Sequence, residues 1–341
     1  MDKPDRASAL RRIYEVGPGE GRELILREIA NPAGDIGIDV LGLLPERELP
    51  QVEQLVARVK TSNGNEVDYQ LLERYAGARV LPDIKTVFEA HPGKWACAPQ
   101  NAMLRYFLRV SPDYGVAQVR DALGQRKVTG CYTFQLTGLK EDIRRPMLEQ
   151  IAIGALGDPS PEVARNAAEA LQRYGSRKAE AALWKRLEEF HEKWKGRTDE
   201  LRYRPGANSD LLAEIGLEQV LVQAIANGQA WIATEDTIRR LKVLASPQTK
   251  SQLDGALQEI QRGEYGFHMG WWPGGTLDYN VGRYSGNGMA ALKEKLAQLP
   301  SGTHLNMVTT VAERDRHRAE FYQIQDAAAA NGLVLQVQTP R

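Results

Sequence analysis

The chain of 341 residues carries 44 Lys plus Arg against 44 Asp plus Glu, a formal net charge of zero, with both signs interspersed along its length. That balance argues against a dedicated nucleic-acid binder, which shows a basic excess, and no apolar run approaches the roughly 20 residues that cross a bilayer. Met1-Asp2-Lys3-Pro4 begins no secretory signal. The expectation is a soluble, untargeted protein, cytoplasmic by default, with an extracytoplasmic origin as the alternative if the chain is a fragment.

In chain order, a helix over 7–15 ends at Gly17-Pro18-Gly19 and a return helix runs over 21–29. After Asn31-Pro32-Ala33-Gly34 a second hairpin uses 36–44 and 49–59, and a polar loop covers 61–65. A third hairpin uses 69–75 and 80–89, and a fourth 95–110 and 114–123. The first helix of a fifth falls at 130–138, a β-branched stretch bounded by glycines, which predicts a short or distorted helix. The return helices repeat the pattern apolar, two residues, apolar, apolar, more weakly at Val116/Val119/Arg120 and most weakly at Gly21/Leu24/Ile25. Its anchors, Gly21, Val52, Ile84, Val116, Leu148 and Ala179, are spaced by 31, 32, 32, 32 and 31 residues, a period that signals stacked repeats.

Residues 146–197 hold one complete unit. Asp158-Pro159-Ser160-Pro161-Glu162 stops one helix and starts the next, with Pro161 suited to the first turn and Ser160 to capping it. Val163, Ala167, Ala170 and Leu171 share one face of that helix. Ala179, Ala182, Leu183, Leu187, Phe190 and Trp194 form the stripe of the following one. The string D-P-x-P-E-V-A-x-x-A-A-x-A-L over Asp158 to Leu171, with the period and the paired helices, resembles the HEAT-repeat family over roughly residues 5–195. The whole chain is similar to bacterial HEAT-repeat proteins of unassigned function that end in a small α/β module. The resemblance implies an α-solenoid of about six helical hairpins whose usual work is holding other macromolecules, and it implies no chemistry.

Past Trp194 a polar loop leads to helices over 211–226, 234–245 and 247–262, with Thr234 and Ser246 as N-caps, read as a helical cap on the repeats. The glycine- and aromatic-rich stretch 263–275 reads as a linker pinned by Trp271 and Trp272, with a carbohydrate or peptide contact by that pair as the alternative. The period then changes from 3.6 to 2. Leu277, Tyr279 and Val281 alternate with polar residues, as do Leu305, Met307, Thr309 and Val311, and Leu333, Leu335 and Val337. Helices over 289–299 and 313–330 separate them, predicting a βαβαβ two-layer module in strand order 1-2-3, with both helices on one face and the other face bare. A bare face and two open edges imply docking on the repeats, a second copy or a partner strand. The predicted division is 1–195 repeats, 196–262 cap, 263–276 linker and 277–341 module.

Candidate chemistry is sparse. There is no G-x-S-x-G, H-E-x-x-H or G-x-x-x-x-G-K-S/T. Gly282 to Gly288 reads as a turn with Asn287 near a helix start, with a phosphate cradle as the alternative. Cys97 and Cys131 stand about one repeat apart; buried free thiols are the expected state and a disulfide the alternative. His191-Glu192 resembles the His-Glu pairs of iron-binding HEAT-repeat hydroxylases, but a single copy makes no metal site. Tyr14, Tyr75, Tyr106 with Phe107, and Tyr174 fall near the ends of first helices and read as packing between repeats. No cofactor or metal is expected. The concave face expected to meet a protein or peptide partner comprises Arg22, Glu23, Glu53, Gln54, Lys85, Gln118, Glu149, Gln150 and Glu180, a mixed to acidic set. The leading reading is therefore a non-enzymatic scaffold. The alternative is a HEAT-like DNA-base glycosylase or other nucleic-acid-binding enzyme, against which the charge of that face argues.

Overall fold

The computed structural model describes residues 3–30, 36–61, 64–90, 96–124, 145–271 and 277–339. Within them the chain is mainly helical, with one mixed five-stranded sheet towards its end. It divides into two compact units, Met1–Leu148 and Glu149–Arg341.

The first unit contains α1 (Lys3–Val16), α2 (Pro18–Ala30), α3 (Ile38–Leu41), α4 (Val52–Lys60), α5 (Glu66–Tyr75), α6 (Leu81–Glu89), α7 (Cys97–Val110) and α8 (Pro112–Gly124). Return helices α2, α4 and α6 are successive neighbours, as are α1, α3, α5 and α7. Among the anchors Gly21, Val52, Ile84, Leu148 and Ala179 are buried, and Val116 is half-buried. The expected helix over 36–44 shrinks to the four residues of α3, bracketed by Gly37 and Gly42, both poor helix formers. Cys97 opens α7 and is disulfide-bonded. The preference for free thiols is thereby corrected: it rested on too wide a spacing between repeats, whereas a bridge needs Cα atoms within about 7 Å. Cys131, the expected helix over 130–138 and the turn at 31–34 lie outside the described residues.

A helix leaves its last carbonyls without donors from its own turns. Here the next hairpin supplies them. Arg58 donates to Ala30 O at 2.9 Å and Ile29 O at 3.2 Å, at the end of α2, while buried Asp68 holds the guanidinium at 2.7 Å. Tyr75 OH donates to Leu41 O at the end of α3, and Arg74 to Leu44 O. Tyr106 OH donates to Gly77 O, and Arg109 to Glu73 O and Ala76 O, around the end of α5. Tyr75 and Tyr106 are thus packing residues, as expected; their hydroxyls are buried and cap the preceding hairpin, which the sequence did not suggest. Burial pushes the Tyr106 phenol up to about 12.

The second unit takes in most of α9 (Arg145–Ala155), then α10 (Pro161–Tyr174), α11 (Arg177–Trp194), α12 (Ser209–Asn227), α13 (Glu235–Leu244) and α14 (Pro247–Arg262). α10 packs on α12, α11 on α12 and α13, and α12 on α13 and α14. Two helix starts are completed from a neighbouring helix. Buried Glu149 on α9 accepts from the Ser176 N–H at 2.7 Å and its hydroxyl at 2.6 Å. Buried Glu218 on α12 accepts from the Ser246 N–H, its hydroxyl and the Thr249 hydroxyl, all within 2.7 Å. Thr234 caps its own helix through a capping box with Thr237. Ser160 and Ser246 occupy N-cap positions but make no cap bond of their own, and the Ser160 N–H is taken instead by Asp158.

The terminal sheet corrects the expected βαβαβ order. Its strands are β1 (Glu264–Trp271), β2 (Leu277–Val281), β3 (Tyr284–Asn287), β4 (His304–Val308) and β5 (Val334–Gln338). They lie in the order β3-β2-β1-β4-β5, with β2 antiparallel to β1 and β3, and β4 parallel to β1 and β5. The stretch read as a linker is the central strand: Tyr265, Phe267 and Met269 alternate inward, a period its glycines obscured. The stretch read as a turn holds β3. The expected neighbours β2 and β4 are therefore separated by β1.

α15 (Met289–Gln298) and α17 (Arg318–Ala330) share one core with the inward face, through Leu292, Leu296, Ile324 and Ala328 against Phe267, Tyr279, Val281, Tyr284, Leu305 and Met307. α16 (Val311–Arg316) precedes α17. Both long helices lie on one face, as expected. Opposite them Glu264, Gly266, His268 and Gly270 are exposed.

If Glu218 completes α14, Glu218→Ala strands a buried N–H and two hydroxyls. Denaturant unfolding should show a loss of about 3 kcal/mol, and Glu218→Gln, which keeps one acceptor oxygen, a smaller one. A loss under about 0.5 kcal/mol, the scale of an ordinary surface substitution, would show the contact to be dispensable.

Candidate functional site

α12 presents Val222, Gln223, Ala226 and Asn227 along one side, and α14 presents Gln252, Leu253, Ala256 and Glu259 along another, each at the spacing of a helical face. With Gln258, Arg262, Glu264, Asn306 and the β2–β3 turn at Gly282 and Arg283, they line a cleft of about 600 Å³. That volume lies in the range of small-molecule sites.

The turn explains why the cleft has a defined base. Gly282 has φ +54°, and a Cβ there would lie 2.0 Å from Glu259 Oε1, so only glycine fits. Arg283 then donates to Glu259 Oε2 at 2.5 Å, to Tyr284 OH at 2.8 Å and to Ala226 O at 3.4 Å, and its guanidinium lies over the Tyr284 ring. Burial raises the Glu259 carboxyl pKa, and the charge of Arg283 opposes that rise. Asn227, the last residue of α12, has a buried Oδ1 without a hydrogen-bond partner. The lining balances two arginines, 262 and 283, against two glutamates, 259 and 264. Its remaining polar surface is carboxamide: Gln223, Asn227, Gln252, Gln258 and Asn306. Such a site can hold a polar guest by hydrogen bonds.

A second cluster ties the sheet to the helices of the same unit. Lys295 on α15 is buried, and its amine donates to Gly228 O at 3.0 Å and Trp231 O at 3.1 Å, in the segment between α12 and α13. The Ala233 N–H donates to Tyr284 OH, and Trp231 Nε1 to Ile225 O. Gly228 is again forced, because a Cβ would meet the Trp231 ring at 2.1 Å. Burial, aided by the nearby charges of Arg283 and Arg177, brings the Lys295 amine down to about 7. A third acceptor, Gln298 Oε1, lies 3.3 Å from the amine.

The sequence-predicted partner face is dispersed among different environments. Glu23, Glu53, Gln54 and Gln150 are exposed, and Arg22, Lys85, Gln118 and Glu180 are half-buried. Arg22 pairs with Glu46 and Glu23, Glu53 with Arg79, and Glu180 with Arg177. Lys85 lies 4.0 Å from the centre of the Tyr114 ring. Glu149 is corrected: it is a buried cap for α11 and offers nothing to a partner. Trp271 ends β1 opposite Leu277; its side chain, and the whole of Trp272, lie outside the described residues. Of Gly282 to Gly288, only Gly282 and Arg283 line the cleft, and Gly288 caps α15 with φ +87°. His191 lies 3.0 Å from Leu244 O, the end of α13. Among the described residues no three His, Cys, Asp or Glu side chains converge as a metal site, and no helix is long and apolar enough to cross a membrane.

Sequence reasoning missed the cleft because its glutamines look like ordinary solvated helix positions. The one available signal was a glycine turn carrying an arginine beside a tyrosine. Comparisons with models of protein families, with curated proteins and with solved structures find no match.

Lys295 sets a pH dependence. Above about 10.4 the amine is neutral folded or unfolded. As pH falls towards 7 the unfolded chain takes up the proton first, so stability is lost across that window and levels off below it. Tyr279 and Tyr284, raised by burial to about 12, act only at higher pH. The unfolding midpoint should therefore rise between pH 7 and 9.5, and Lys295→Met should flatten the rise. An equal slope in both proteins would refute this account of Lys295.

Proposed function

We propose that this protein is a non-enzymatic scaffold of the helical-repeat kind, similar to HEAT-repeat proteins, that binds a protein or peptide partner along its return helices. One observation carries the reading. Polar residues directly follow the buried anchors on three neighbouring helices: Arg22 and Glu23 on α2, Glu53 and Gln54 on α4, Lys85 on α6. A partner would meet a row of equivalent positions repeated on these three helices of the first unit. The arginine and tyrosine caps support it, because they fix each hairpin on the one before and so fix the spacing of the row. The reading requires no cofactor. The disulfide at Cys97 supports an oxidising compartment, since thiols stay reduced in most cytosols.

The test is charge reversal at exposed members of the row. Glu23→Lys combined with Glu53→Lys should leave the unfolding midpoint within a few degrees of wild type. The same pair should deplete partners recovered by quantitative pull-down from native extract, with a changed salt dependence. Recovery of the same partners in the same amounts would count against the row as the binding face.

A further inference from the structure

We propose that the cleft between α12, α14 and the β2–β3 turn is a binding site for a neutral, hydroxyl-rich ligand, a short saccharide. Its charges are already engaged. α12 and α14 both end at this cleft, at Asn227 and Arg262, and a helix C-terminus presents unpaired carbonyls and a partial negative charge. Arg283 answers one of them, donating to Ala226 O, and gives two of its other four N–H groups to Glu259 and Tyr284 OH. Its charge is already matched by Glu259. With Glu264 opposing Arg262, a charged guest would enter a site of no net charge and leave its own charge unmatched, which is costly away from water.

What remains for a guest is the carboxamide set. Each carboxamide offers a donor and an acceptor on adjacent atoms, and a sugar hydroxyl is likewise both. Between the amides lie Val222, Leu253 and Ala256, an aliphatic surface for the C–H faces of a pyranose ring. The lining residues of α14 run from Gln252 to Arg262, about 15 Å at the rise of an α-helix. The sheet bounds the groove at the C-terminal ends of the two helices. A short oligomer fits such a space better than a long extended chain. This site is independent of the row on α2, α4 and α6, and either can fail without the other.

The experiment uses the full chain and a defined set of probes: maltose, cellobiose, N,N′-diacetylchitobiose, inorganic phosphate and acetyl-triglycine amide. Saturation-transfer NMR and calorimetry report binding. At least one disaccharide should bind with a dissociation constant of about 1 mM or tighter, with phosphate and the peptide silent. Ala256→Phe, which fills the space, should weaken that binding at least about tenfold, a loss of about 1.4 kcal/mol. If Ala256→Phe does not fold, the exposed pair Gln223→Ala with Gln258→Ala serves instead, with the same expected loss at an unchanged unfolding midpoint. Binding of phosphate or the peptide in place of every disaccharide overturns the proposal. So does disaccharide binding that survives a folded cleft variant, or the absence of any disaccharide binding to the wild type.

Discussion

When one helical hairpin is laid on another, the ends of its helices are taken away from water, and the amides and carbonyls left over there must find partners in protein. Much of this chain is arranged around that requirement. Carboxylates of Glu149 and Glu218 serve helix starts, and Arg58, Tyr75, Tyr106 and Arg109 serve helix ends. In each case the donor or acceptor comes from a residue some 27 to 36 positions away. A polar group delivered from that far along the chain fixes the offset between helices in a way that apolar stripes alone do not, since leucines tolerate sliding and a guanidinium held by Asp68 does not.

The same device joins the sheet to the helices of its unit. Lys295 closes the end of α12 by donating to Gly228 O, and Arg283 does so by donating to Ala226 O. Both come from the β2–β3–α15 region, so the terminal sheet is bound to the helical part by the chemistry that binds hairpin to hairpin. The cleft is a by-product of that junction: two helices end near Glu264 of β1 and Asn306 of β4, the turn between β2 and β3 inserts an arginine, and small residues at 255, 256 and 282 leave the remaining space open.

Helices were legible in the sequence because their apolar period is long and repeated. The anchors at Val52, Ile84, Leu148 and Ala179 are buried where the period places them, and the helices after Trp194 fall close to the expected bounds. β1 was not legible, because Gly266 and Gly270 stand on its exposed side and gave the stretch the composition of a loop. The inward alternation of Tyr265, Phe267 and Met269 was present beneath them. Glu149 misled for a different reason. Its position after Leu148 matches that of exposed Glu53 after Val52, and only the arrival of Ser176 from a later helix buries it. Side chains that act across hairpins have no local signature.

If helix ends are completed by side chains from neighbouring helices, amide hydrogen exchange at Ser176 and Ser246 will report it. Both N–H groups sit at helix starts, where an uncapped amide exchanges freely with water. The account predicts that both are protected to nearly the level of the helix interiors, and that Glu149→Ala and Glu218→Ala each expose only the serine they serve. Rapid exchange at both serines in the unaltered protein would contradict it.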